Sequence, residues 1–242
     1  YLKFDDVFRN IIIQGLDNSE IGCHLDPMFL HFRIMSSNVK MFTKLNEIIN
    51  VYREEYPQHF INNSYYTPED GINGTNYNWH NKGSAILEAP LRFFSRKLII
   101  LANVKNKELL NNFDYIQLLS NNENCKQYRF NNIFVAGENN DVIIDESREK
   151  IQIVLPNLDN SLDNFDSALA FSNGCQFVAM KFQNMDANLF AYHDYFKDAE
   201  LSFILKEPNR RSDLIIPASY PPGEKMPTAR EHCIGIAGKC GS

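Results

Sequence analysis

An α/β fold built on parallel sheet is what this sequence predicts, and three observations carry that expectation. Segments of strand character alternate with segments of helical periodicity along most of the chain, the pattern of strand-helix units. The run Lys97-Leu98-Ile99-Ile100-Leu101-Ala102-Asn103-Val104 is apolar on consecutive rather than alternate positions, as suits a strand covered on both faces. With 242 residues, 44% of them hydrophobic, the chain has the material for a sizeable core in one large domain.

The elements follow in order. Phe4 to Ile13 reads as an amphipathic helix, because Phe4, Val7, Phe8 and Ile11 recur at helical intervals, and a turn follows at Gly15 to Asn18. Pro27 opens Met28 to Ile34, an aromatic and β-branched run that reads as a strand. Ser36-Ser37-Asn38 offers capping side chains to a helix with Val39, Phe42, Leu45, Ile49 and Tyr52 on one face, ending near Pro57. Pro57 to Ala85 is polar, rich in Asn and Tyr, and punctuated by Pro68, Gly71, Gly74 and Gly83, so a long surface loop is expected, with Trp79-His80 as a packing anchor.

Beyond the apolar run, strands are expected at Tyr115 to Leu119, Asn132 to Val135, Ile151 to Leu155, Phe177 to Phe182 and Leu201 to Leu205. Phe165, Ala168, Leu169 and Phe171 mark a short helix closed by Gly174. Ala187 to Phe196 forms another, with Leu189, Phe190, His193 and Phe196 on one face and His193 as a half-buried packing residue. After Pro208 the pattern gives way to Arg210-Arg211, then Pro217, Pro221, Pro222, Pro227 and a Gly-rich end. Residues 1–211 are therefore expected to form the folded portion and 212–242 an extended tail.

Composition narrows the function classes. Lys+Arg 24 against Asp+Glu 30 leaves −6, which argues against a surface that neutralises nucleic-acid phosphates and against membrane attachment by charge alone, leaving other membrane contact open. Cys23, Cys125, Cys175, Cys233 and Cys240 are scattered without a C-x-x-C pair, so buried reduced thiols are expected rather than a disulfide scaffold or structural zinc; Cys233 and Cys240 could pair. Asn62 and Asn73 open glycosylation triplets, for which chance matches suffice in so Asn-rich a chain. The chain starts at Tyr1 rather than Met, from which a processed product or the visible part of something longer is expected, a larger precursor being favoured.

One order of motifs is familiar. Asn132-Ile133-Phe134-Val135-Ala136-Gly137, then Phe171-Ser172-Asn173-Gly174-Cys175-Gln176-Phe177-Val178-Ala179-Met180-Lys181-Phe182-Gln183, then Phe196-Lys197-Asp198 and Phe203-Ile204-Leu205-Lys206-Glu207-Pro208 resemble the second half of the catalytic barrel of eukaryotic phosphoinositide-specific phospholipase C. The Gly-Cys-Gln stretch is the most specific piece. Lys97 to Asn103 and Met28 to Ile34 look like the last strands of the first half, and the resemblance spans roughly residues 4 to 211 in motif order. It implies a (β/α)8 barrel, here an incomplete TIM-like one, with the site at the carboxyl ends of the strands and calcium-assisted phosphodiester cleavage by a histidine pair. Those histidines belong to strands that would precede Tyr1.

The resemblance also assigns a pocket, and this chain departs from it. Arg33 stands where a calcium-binding Glu is implied. Leu101 and Asn103 stand in place of two phosphate-facing lysines, and Asn132 and Phe134 in place of an Arg and a Tyr for the headgroup; Ser120 is the serine donor that could survive. The pocket is therefore expected to be degenerate, with no catalytic residue, no metal and no cofactor in these residues.

The leading expectation is a catalytically inactive phospholipase C-like domain kept as a structural or interaction module in a larger assembly. One alternative is an active phospholipase with calcium, whose histidines come from an amino-terminal half. The other is a non-catalytic lipid or inositol phosphate binder, with Arg33, Arg96, Lys97, Arg210 and Arg211 as candidate anion contacts. The barrel would have to be completed by the amino-terminal half of the same precursor or by a separate chain, covering the edge of the Met28 to Ile34 strand.

Overall fold

The computed structural model describes residues 3–17, 26–61, 91–105, 115–121, 123–133, 140–159, 161–199 and 202–211. They fall into two compact units that meet in sequence between Leu119 and Ser120. Trp79-His80, the tail at 212–242, Cys23, Cys233, Cys240, Asn62 and Asn73 lie outside the described residues.

In the first unit, α1 (Phe4–Ile12) runs into a π-helical turn (Ile13–Asp17), then β1 (Met28–Ile34), α2 (Val39–Glu55), β2 (Leu98–Val104) and β3 (Leu118–Leu119) follow. The turn foreseen from Gly15 thus begins as a wider coil of the same helix. At Gly15 the coil passes against the end of the flexible Met28 side chain, which a larger residue there would have to displace. The strands form a parallel sheet in the order β1-β2-β3, and β1 and β2 pair along their whole length from Met28↔Leu98 to Ile34↔Val104.

The capping expectation holds at α2, where the Asn38 Oδ1 accepts from the Lys40 N–H at 3.0 Å. The helix stops at Tyr56, and Pro57 opens a 3-10 turn to His59. Phe8, Ile12, Phe42, Ile49 and Tyr52 then close over Leu98, Ile100 and Ala102 on one face of the sheet. Phe8 is fully buried, stacked on Phe4 at 5.5 Å and edge-on to Tyr52 at 5.3 Å, and the Tyr52 hydroxyl donates to Asp5 Oδ1 at 2.9 Å. Near the start of the expected surface loop, Pro57 and Gln58 are exposed but His59, Phe60 and Ile61 are buried, and Phe60 bridges to Leu98.

The second unit holds β4 (Cys125–Arg129), α3 (Phe130–Ile133), α4 (Asp141–Glu149), β5 (Ile151–Leu155), α5 (Ser167–Ser172), β6 (Phe177–Val178) and α6 (Ala187–Ala199). Its sheet is also parallel, in the order β4-β5-β6, with Cys125↔Ile151 to Arg129↔Leu155 and Val154↔Val178 in register. Of the strand foreseen at Asn132 to Val135, Asn132 and Ile133 are helical, and Phe134 and Val135 lie outside the described residues. Asn132 lies in a helical turn, anchored where the Asn131 N–H reaches Asn157 Oδ1 at 2.9 Å, and the strand comes earlier, at Cys125–Arg129. Cys-Lys-Gln-Tyr-Arg has no β-branched run, so it becomes a strand only because Ile151–Leu155 offers it a ladder.

Two further expectations shrink. The run from Phe177 to Phe182 keeps only two strand residues, and residues 202–207 form no strand. His193 is exposed rather than half-buried, edge-on to Phe182 at 5.7 Å. Among the described residues neither sheet closes on itself: each has three strands, whereas a closed barrel of this kind needs eight.

Candidate functional site

In parallel sheets, ligands bind where strands deliver their carboxyl ends. In the first unit that place is built by β1 and β2. Met28, Leu30, Phe32 and Ile34 pack into the core with Leu98, Ile100, Ala102 and Val104, so alternation puts Phe29, His31 and Arg33 on the opposite face, level with Ile99, Leu101 and Asn103.

That face is graded from apolar floor to polar rim. Ile99 and Leu101 are buried, His31 is half-buried opposite Leu101, Asn103 is half-buried, and Arg33 is exposed beside Asn103. Burial, reinforced by the Arg33 charge, holds the His31 pKa below its ordinary value. His31 is therefore a neutral imidazole in the physiological range. Leu101 is paired on one side with His31 and on the other with Leu118, a floor position with no polar role.

The expected site residues are distributed unevenly. Arg33 and Asn103 are brought together as direct neighbours across two strands. Arg96 and Lys97 precede β2, at the other end of a strand that rises about 3.3 Å per residue, so they stand roughly 20 Å from Asn103. Asn132 is an exposed residue of α3 in the second unit, Ser120 is buried just after β3, and Phe134 lies outside the described residues. Among the described residues, no three His, Cys, Asp or Glu side chains group as a metal-binding set.

The Gly174-Cys175-Gln176 segment is a structural lock within the second unit. Gly174 takes φ +82 after α5, and its N–H closes onto Phe171 O at 2.9 Å. The Cys175 thiol, pushed up to about 12 by burial, donates to Gln152 Oε1 at 3.3 Å. Gln176 Oε1 accepts from the Gln152 N–H at 2.8 Å, while its amide nitrogen donates to Ser147 O at 2.9 Å and Lys150 O at 3.1 Å. Cys175 and Gln176 thus tie the approach to β6 onto the α4–β5 junction, and Gly174 closes α5 just before them. Cys125 is the other described cysteine, buried and likewise raised to about 12, so both are inert thiols. Arg211 is spoken for within the same unit, its Nε donating to Lys206 O at 2.6 Å.

Lys206 joins this junction, its ammonium donating to Ser147 O at 2.5 Å, and burial lowers its pKa from 10.5 to about 8. Between those values the unfolded chain binds the proton that the folded chain has released, so this group's contribution to stability rises with pH there. Urea unfolding of the protein and of Lys206→Met is expected to show the unaltered protein gaining on the variant from about pH 7 to about pH 10. A pH-independent difference between the two would reject the assignment.

No family model matches the chain, and no curated protein matches it. Solved structures do. The crystal structure of PLC21 from L. pealei, a phospholipase C, is similar over 88% of this chain with a TM-score of 0.60 and 13% identity. The match takes in 30% of that longer chain. At this identity the likeness is one of fold: a phospholipase C-like arrangement of mixed α/β structure with parallel sheets.

Proposed function

We propose that this chain is a catalytically inactive phospholipase C-like module with a structural or interaction role in a larger assembly. One observation carries the reading. Where the resemblance implies a calcium-binding carboxylate, Arg33 extends as an exposed cation from the carboxyl end of β1, beside Asn103 where it implies a lysine. A guanidinium repels a divalent cation and offers no oxygen ligand. The Gly-Cys-Gln stretch, by contrast, keeps its residues and makes a full set of fold-holding hydrogen bonds. Retained scaffold beside an altered pocket is the pattern of a fold that outlives its chemistry.

The finer architecture belongs to the same proposal: an incomplete (β/α)8 barrel of the phospholipase C type. The parallel sheets and the fold likeness support it. Among the described residues β1 is the edge strand of its sheet, and we assign its completion to the amino-terminal half of the same precursor or to a separate chain.

The test is headgroup phosphate release from phosphoinositide vesicles, measured with and without calcium, on the chain alone and together with any upstream segment. No calcium-dependent turnover is expected in either case. Hydrolysis abolished by chelation would overturn the reading in favour of an active phospholipase.

A further inference from the structure

We propose that Arg96 anchors a partner polypeptide through one of that partner's Asp or Glu carboxylates, at the amino ends of β1 and β2. The inference rests on the reading of an interaction module and gives that module a point of attachment, at the end of the sheet away from Arg33 and Asn103.

Three features meet at this residue. Phe94 to Lys97 make a tight turn, closed by the Lys97 N–H on Phe94 O at 2.9 Å, and Arg96 takes its third position with φ 58. That left-handed conformation falls to glycine by default and is strained for a residue with a side chain. The strain is held from the interior: the ring of His59, fully buried, donates from Nδ1 to Arg96 O at 3.0 Å, and Phe60 beside it bridges to Leu98. Arg96 itself is half-buried. Its Nε is enclosed without a hydrogen-bond partner, and among the described residues its guanidinium forms no ion pair. A strained backbone thus presents a guanidinium that the chain leaves unsatisfied, the combination expected where a residue serves binding rather than folding.

The missing partner is an anion of one charge. A carboxylate takes two N–H groups of the fork with its two oxygens, which neutralises the cation and satisfies Nε once that edge of the guanidinium turns to meet it. A phosphate dianion would bring a second negative charge, and the neighbouring Lys97 has partners of its own. One guanidinium holds a free carboxylate only weakly; inside an interface whose other contacts bring two chains together, a paired arginine is a hot spot. The position suits that role. The Met28 N–H donates to Lys97 O at 2.9 Å, which sets the Arg96 turn beside the first residue of β1, the edge strand among the described residues. A polypeptide seated along that edge passes the turn.

The experiment uses the natural polypeptide in its native assembly, sized by sedimentation, with Arg96→Gln, Arg96→Gly and Arg96→Lys in turn. Arg96→Gln and Arg96→Gly are each expected to lower partner occupancy about tenfold or more, the second on a backbone that glycine accepts, so that misfolding does not explain the loss. Arg96→Lys should keep most of the assembly, and zero-length carbodiimide coupling should then join the new amine to an Asp or Glu of the partner, read by peptide mass spectrometry. Lys44→Gln, at an exposed lysine of α2 paired with Glu47, should leave the assembly unchanged. No coupling, coupling only to carboxylates of the same chain, or an assembly unmoved by Arg96→Gln and Arg96→Gly overturns the proposal while the interaction reading stands. A polypeptide that sediments as a single chain overturns both.

Discussion

Gly174→Ala is expected to lower the unfolding free energy by about 3 kcal/mol, from two causes that act at one atom. The backbone there has φ +82, a conformation that costs an L-residue about 1–2 kcal/mol. The added methyl would also stand 2.3 Å from Ser147 Oγ and 3.1 Å from Ser147 Cβ. Ser147 is 1% exposed, and its hydroxyl is committed to Ile144 O at 2.7 Å, so it has no solvent to swing into. Overpacking of this kind costs about 1–3 kcal/mol. Urea denaturation checks the total, and a loss below about 1 kcal/mol would mean the segment relaxes freely. Combining the change with Ser147→Ala removes the oxygen clash but not the backbone cost, so partial recovery is the expected outcome of that double variant.

Asn164→Ala is expected to cost a similar amount, about 3 kcal/mol, through unmet hydrogen bonds rather than crowding. Asn164 is 5% exposed, its Oδ1 accepts from the Lys181 N–H at 2.6 Å, and its amide nitrogen donates to Asn184 O at 3.0 Å. The truncated side chain leaves that donor and that acceptor, both on half-buried residues, without their protein partner, each worth about 1–3 kcal/mol where water cannot replace it. Asp186 belongs to the same knot, taking the Asn164 N–H at 2.7 Å and the Leu189 N–H at 2.9 Å, which holds its pKa below the ordinary carboxylate value and fastens the start of α6. Amide hydrogen exchange should accelerate across residues 181–189. Unchanged protection there, or a stability loss within about 0.5 kcal/mol, would show that water replaces the asparagine without cost.

Much of the fold was legible because its signals are local. Apolar spacing marked α1 and α2, unbroken hydrophobicity marked β2, and Asn38 and Gly174 punctuated helices as capping chemistry requires. β4 and α4 were not legible. β4 is polar and short of β-branched residues, and Asp-Val-Ile-Ile-Asp-Glu-Ser-Arg-Glu packs only a narrow apolar face, so neither stands out in a window of its own sequence. Asn164 gave no signal either, since one asparagine among many acquires its role only when Lys181, Asn184 and Asp186 converge on it.

The candidate site divides in the same way. From the sequence came the strand that carries Arg33, the cation where the resemblance implies an anion, and Leu101 and Asn103 where the resemblance implies two lysines. That Arg33 faces Asn103 and that Leu101 lies in the floor rather than at the rim were decided by the register of β1 on β2. A strand's character is set by side chains two to four residues apart, which any reading of the chain can see. Its register is set by contacts between segments about 70 residues apart, where a slip of one position would turn every side chain to the other face, and only the packed core against α1 and α2 makes one register lower in free energy than its neighbours.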